Sequence, residues 1–98
     1  DAKSVRKYWK GEVPARLAEL RDELAQLDDF SVEGTDKFVH EWNERKGYVI
    51  GQTMNSLRLA VVGACKGPSM FEILYVVGRE EVVRRIDAAL AAIPAPEE

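Results

Sequence analysis

Apolar positions recur along this chain at the three- and four-residue spacing of helices, and the brief Tyr48–Ile50 alternation is too short to argue for a sheet. Leu17, Leu20, Leu24 and Leu27 form one narrow stripe, and Pro14 suits the first turn of the helix that carries it. The charged residues opposite, Arg16, Glu19, Asp22 and Glu23, read as a solvated face. Phe38, Val39 and Trp42 supply the next apolar face, on a helix expected to start at Ser31 as N-cap and run to Lys46. Glu33 and Asp36 lie near its positive end, and Gly47 fits the left-handed residue that follows its last turn. Residues 3 to 10 read as a first short helix bearing Tyr8 and Trp9. After Gly78, Glu80 and Glu81 open a last helix in which Val82, Ile86, Ala89 and Ile93 share a face. Pro94 and Pro96 then end regular structure, and residues 94–98 are expected to be a disordered tail. The predicted class is all-α, a compact cage of five to six short helices in one domain spanning residues 1–98.

The stretch from Leu57 to Gly78 stands apart. It reads as two short apolar helices joined by a loop holding Gly63, Lys66, Gly67 and Pro68. The first is expected to start between Gln52 and Ser56, after an apolar link at Tyr48–Ile50. Leu59–Val62 and Ile73–Val77 are apolar almost all round, the composition of helices packed on every side. Set among them, Arg58 and Lys66 are costly to desolvate without a partner. Ser69 and Glu72 match the capping box S-x-x-E, which places a helix start just after Pro68. The first backbone N–H groups of that helix favour an acceptor-rich ligand in the loop.

Charge sharpens this picture. The net charge is −3, which argues against non-specific binding to duplex DNA. From Arg45 to Phe71, however, there is no Asp or Glu, while Arg45, Lys46, Arg58 and Lys66 are all cationic. Residues 12 to 44 hold ten acids, so one basic face could steer an anionic ligand while the rest stays acidic. The bland alternative is that a mostly apolar window carries few charges. No uncharged run approaches the length of a membrane helix, so no membrane partner is expected. The lone Cys65 excludes an intramolecular disulfide and fits a reducing, cytoplasmic setting.

Catalytic constellations are missing from the pattern. There is no metal-ligand spacing, P-loop or dinucleotide fingerprint. Cys65 and His40 sit on different elements, and His40 reads as a surface residue. A small thiol enzyme would need a polarising base beside Cys65. A nucleic-acid interface needs cationic donors, bare backbone and flat surfaces for unstacked bases. Arg58 offers a planar fork, Gly67 and Pro68 an accessible backbone, and Met70 and Phe71 apolar surface. The structural alternatives are an ion pair of Arg58 with Glu72 and a plain turn at Gly67–Pro68.

Leu57-Arg58-Leu59-Ala60, Gly63, Gly67-Pro68, Phe71-Glu72-Ile73-Leu74 and Gly78-Arg79-Glu80-Glu81, in this order and spacing, resemble the C-terminal anticodon-binding domain of bacterial-type glutamyl-tRNA synthetases. The likeness is strongest over residues 48 to 90. Val77 and Arg79 replace the family's usual Leu and Lys, and Ser56 stands where many members have Pro. The family's catalytic signatures of the His-Ile-Gly-His and Lys-Met-Ser-Lys types are absent, so the resemblance implies the tail of a larger enzyme. It implies anticodon-loop contacts at Arg58, Gly67, Pro68, Ser69 and Met70, to which charge adds Lys66. The resemblance also implies a further Arg, in the preceding helical domain, to which no position of this chain is assigned. The implied partners are a glutamate tRNA and the catalytic domains of the same polypeptide, with a monomer expected. No cofactor is expected in the domain itself, and ATP with Mg is assigned to the catalytic domain. The rival reading is a helical protein-interaction module with an apolar groove.

Overall fold

The computed structural model describes Trp9, residues 11–63 and residues 69–92. The expected first helix at residues 3–10, Lys66, Gly67, Pro68, Cys65, Ile93 and the tail at 94–98 lie outside the described residues, Trp9 excepted. Five helices and no strand occur among those described: α1 (Val13–Gln26), α2 (Val32–Lys46), α3 (Ile50–Val62), α4 (Met70–Val77) and α5 (Arg79–Ala92). The all-α reading therefore holds.

Each helix buries the face its sequence marks out. Leu17, Leu20 and Leu24 of α1 are no more than 2% exposed, and they meet Val82 and Ile86 of α5, both fully buried. α1 lies along α5 and α3, while α2 packs on α4. Leu57, Leu59 and Val61 carry α3 into the same core. Trp42 of α2, Met70 and Leu74 of α4, and Trp9 complete it.

Local signals set the ends of α2. The Ser31 hydroxyl accepts from the Gly34 N–H at 3.0 Å, and Gly47 closes the helix at φ 75. The Ser31 side chain and then its N–H, which donates to Asp29 Oδ1 at 3.1 Å, hold the Asp29 carboxyl below the usual carboxylate range. This folds the α1–α2 connection tightly over the first turn, and Gly34 is what permits it. A Cβ at Gly34 would meet the Asp29 carbonyl oxygen at 2.4 Å, a backbone atom that cannot simply turn aside. Gly34→Ala is therefore expected to destabilise by about 1–2 kcal/mol, overpacking outweighing the helix propensity that Ala gains. Chemical denaturation checks this, and a neutral or stabilising effect would show that the connection is looser than described.

Two expectations need correction. α3 begins at Ile50, ahead of the predicted start, so Ile50 and Gly51 belong to the helix and not to a link. Tertiary structure draws the helix back: the Thr53 hydroxyl donates to Asn43 Oδ1 at 2.6 Å, and Asn43 Nδ2 donates to the Val39 carbonyl at 2.8 Å. Both residues are buried, and these bonds pin the first turn of α3 to α2. Nor is α4 packed on every side. Met70 and Leu74 are buried, but Tyr75 is 62% and Val76 81% exposed. Eight residues make barely two turns, and α2 and α5 cover only part of their circumference.

Candidate nucleic-acid interface

The candidate site lies where α3 ends and α4 begins. Arg58 sits, half-buried, in the penultimate turn of α3. Gly63 then stops the helix in the left-handed region (φ 85), its N–H donating to the carbonyls of Arg58 and Leu59. A side chain at that φ would be strained, so Gly is the residue this exit requires. The chain re-enters the described structure at Ser69, the exposed N-cap of α4, whose carbonyl accepts from the Ile73 N–H at 3.1 Å. Lys66, Gly67 and Pro68 lie between these ends, outside the described residues.

The start of α4 falls where the sequence placed it, but the predicted capping box does not form. The Ser69 hydroxyl makes no cap bond to the helix. Glu72 remains an exposed acid in the first turn, favourable to the helix dipole without the reciprocal bond. Met70 is also corrected. At 2% exposed its side chain is part of the core, so it cannot serve as a platform for a base. Phe71 is half-buried, its ring 5.8 Å from that of His40 on α2. Among the described residues no ion pair joins Arg58 to Glu72.

The sequence profile of the anticodon-binding domain family matches residues 1–90. The chain belongs to that family. It is 47% identical over 93 residues to the glutamate–tRNA ligase of Phocaeicola vulgatus, and 44% identical over 90 residues to that of a Porphyromonas gingivalis strain. These alignments cover 95% and 92% of this chain, but only 18% of each relative's length. A crystal structure of a glutamate tRNA ligase from Elizabethkingia meningosepticum, in complex with its amino acid, superposes with a TM-score of 0.89 at 33% identity. That match covers 96% of this chain and 18% of the other.

In this anticodon-binding domain the basic window is more divided than its sequence implied. Lys46 lies 3.5 Å from Glu19 and Arg45 lies 3.8 Å from Glu23, so two of its four cations face the acids of α1. The remaining two are Arg58 and Lys66, one at the end of α3 and the other in the segment beyond it. Arg16 and Glu19 are not merely a solvated face either. The Arg16 guanidinium lies 4.2 Å from the Tyr48 ring centroid and donates to Gln52 Oε1 at 2.8 Å. The Tyr48 hydroxyl donates to Glu19 at 2.7 Å, which lowers the Glu19 carboxyl below its usual range and raises the phenol.

Sequence reasoning missed a second cluster, at the far side of the α3 exit. Glu81 of α5 accepts two bonds from Arg84, each 2.6 Å, and one from Arg85 at 2.8 Å. These donors hold its carboxyl far below the usual 4.5, at about 2. Arg85 also donates through Nη1 to the Val61 carbonyl at 3.0 Å. The only sequence signal was the i, i+3 and i, i+4 spacing of acid and Arg; the bond to α3 has none. Because the folded-state pKa is depressed, the stabilisation from Glu81 is present above its unfolded value near 4.5. It is lost as pH falls towards about 2. Melting curves of the wild type and Glu81→Gln should accordingly differ most at neutral pH and converge on acidification below that value. A gap that stays constant across the range would rule this linkage out.

Proposed function

We propose that this domain binds the anticodon loop of a glutamate tRNA as the C-terminal part of a glutamate–tRNA ligase. What supports the reading is the correspondence, over nearly the whole chain, with the anticodon-binding family and with the matching 18% of a glutamate tRNA ligase structure. The geometry is compatible with it. Arg58, near the end of α3, and Ser69, the N-cap of α4, flank in sequence the segment that contains Lys66, Gly67 and Pro68. Arg58 is assigned to a base edge, Lys66 to phosphate, and the Gly67-Pro68-Ser69 backbone to close approach by an unstacked base. At Met70 only the backbone remains available for such a contact.

The rest of the ligase would activate glutamate with ATP and Mg and charge the tRNA. Among the described residues no three or more His, Cys, Asp or Glu gather as a metal site. The domain's part is binding and orientation. Energy gained at the anticodon loop can accelerate a remote reaction if it aligns the acceptor end in the active site. Such an enzyme would act in the cytoplasm as a monomer, its other domains being the nearest partners. No helix among the described residues is long and apolar enough to cross a membrane.

A binding titration of the 98-residue chain tests the reading. An anticodon stem–loop from a glutamate tRNA should bind more tightly than the same stem with a scrambled loop, and both affinities should fall with salt. Equal binding of the two loops would discard anticodon recognition. The interaction-module alternative draws no support from the two cavities described. One is a small gap beside Arg16 and Gln52, and the other a polar cleft between Glu19 and Arg45.

A further inference from the structure

Arg85 occupies an unusual place for a half-exposed arginine. Its helix, α5, is not part of the α3–α4 junction, yet its Nη1 donates at 3.0 Å to the Val61 carbonyl, in the last turn of α3. The last four carbonyls of a helix have no N–H partner within it. Of these, Gly63 satisfies that of Leu59, while also bonding the Arg58 carbonyl one residue earlier, and Arg85 satisfies that of Val61. A cation here also complements the negative end of the α3 dipole. The guanidinium cannot swing freely, because its Nε is held at 2.8 Å by Glu81, one turn earlier on α5. Arg84, the other partner of Glu81, differs: its side chain is 67% exposed, and among the described residues its bonds go to Glu81.

We propose that Arg85 is a positioning residue for anticodon reading: braced by Glu81, it clamps the last turn of α3 to α5 and so fixes where Arg58 stands. The inference rests on the proposed anticodon-loop function. Val61 is three residues beyond Arg58 and shares its side of the helix, so the carbonyl that Arg85 holds belongs to the turn directly after Arg58. Fraying of that turn would leave the guanidinium of Arg58 present but poorly placed, and base recognition depends on placement more steeply than attraction to phosphate does. Arg85 therefore contributes to discrimination between loops without touching RNA.

The experiment compares the wild-type chain with Arg85→Met, Arg85→Lys and Arg84→Met. Each is titrated with the cognate stem–loop and with one altered at the second and third anticodon bases, across a salt series and well below the melting transition. Arg85→Met should lose about 3- to 30-fold in cognate affinity. The altered loop should be nearly unaffected and the salt slope unchanged, because no phosphate contact is removed. Arg85→Lys, which keeps the charge but cannot span Glu81 and Val61 together, should show a smaller loss in the same direction and covers the case in which Arg85→Met does not fold. Arg84→Met should leave discrimination intact. Equal losses for both loops with a shallower salt slope would make Arg85 a phosphate contact and overturn the positioning role. Lower melting temperature with full discrimination would reduce it to a structural brace. A wild-type chain that does not discriminate would overturn the anticodon reading itself, and this outcome is distinct because it precedes any substitution.

Discussion

Trp42→Ala should cost this domain about 3–5 kcal/mol, the range for truncating a buried Trp. The side chain is 1% exposed and is the largest among those fully buried. It meets the Tyr48 ring edge-on, with centroids 5.4 Å apart and planes at 70°. Losing it removes both the apolar area and an aromatic contact, and the cavity lies where α2 faces the rest of the core. A domain of ordinary stability has only about 5–15 kcal/mol in hand, so such a loss consumes much of it. For a chain of this length the melting temperature should fall on the order of 20 °C. Tyr75→Ala is the natural control. Its ring is 62% exposed on α4, and substitutions at such positions usually stay within about 0.5 kcal/mol. Comparable melting shifts for the two variants would mean that the core is not centred on Trp42.

The contrast between those two aromatics shows what could be read in the sequence. Residues whose role is set by near neighbours were legible: the leucine stripe of α1, Ser31 and Gly47 at the ends of α2, and Gly63 and Gly78 as stops. Each depends on contacts within a few positions. Composition misled where coverage mattered, since the apolar run Ile73–Val77 looks the same whether or not another element lies over Tyr75 and Val76. The polar side chains that join elements carried no local mark at all. Arg79 donates to the Asp28 carbonyl at 3.0 Å, closing the end of α1 from 51 positions away. Arg21 clamps Asp87 across 66 positions with two bonds. Spacing could propose Arg58 as the cation of its helix, but nothing in it could name Arg85 as a partner of that helix's last turn. The expected capping box failed as well: S-x-x-E states what the side chains could do, yet the Ser69 hydroxyl makes no cap bond.

Arg58→Ala should weaken binding of a cognate anticodon loop by roughly 10- to 100-fold, corresponding to the about 1.5–3 kcal/mol that hydrogen bonds to charged groups contribute. The expectation rests on position and chemistry together. Arg58 stands in the penultimate turn of α3, directly before the Gly63 exit, and offers several donors in one plane. A planar fork is suited to a base edge, where removing it should be felt mainly by the loop that presents the matching acceptors. The loss should accordingly be large for the cognate stem–loop and small for one with altered second and third bases. Lys66→Ala should act differently. As a point charge meeting phosphate, it should weaken all loops to a similar degree and lower the salt slope by about 1. Circular dichroism and a melting curve separate recognition from folding. Because Arg58 is half-buried, some loss of stability is compatible with a reading role, but it has to be accompanied by loss of discrimination. Lower stability with unchanged specificity would make Arg58 a packing residue, and unchanged stability with unchanged affinity would leave it no role at the α3–α4 junction.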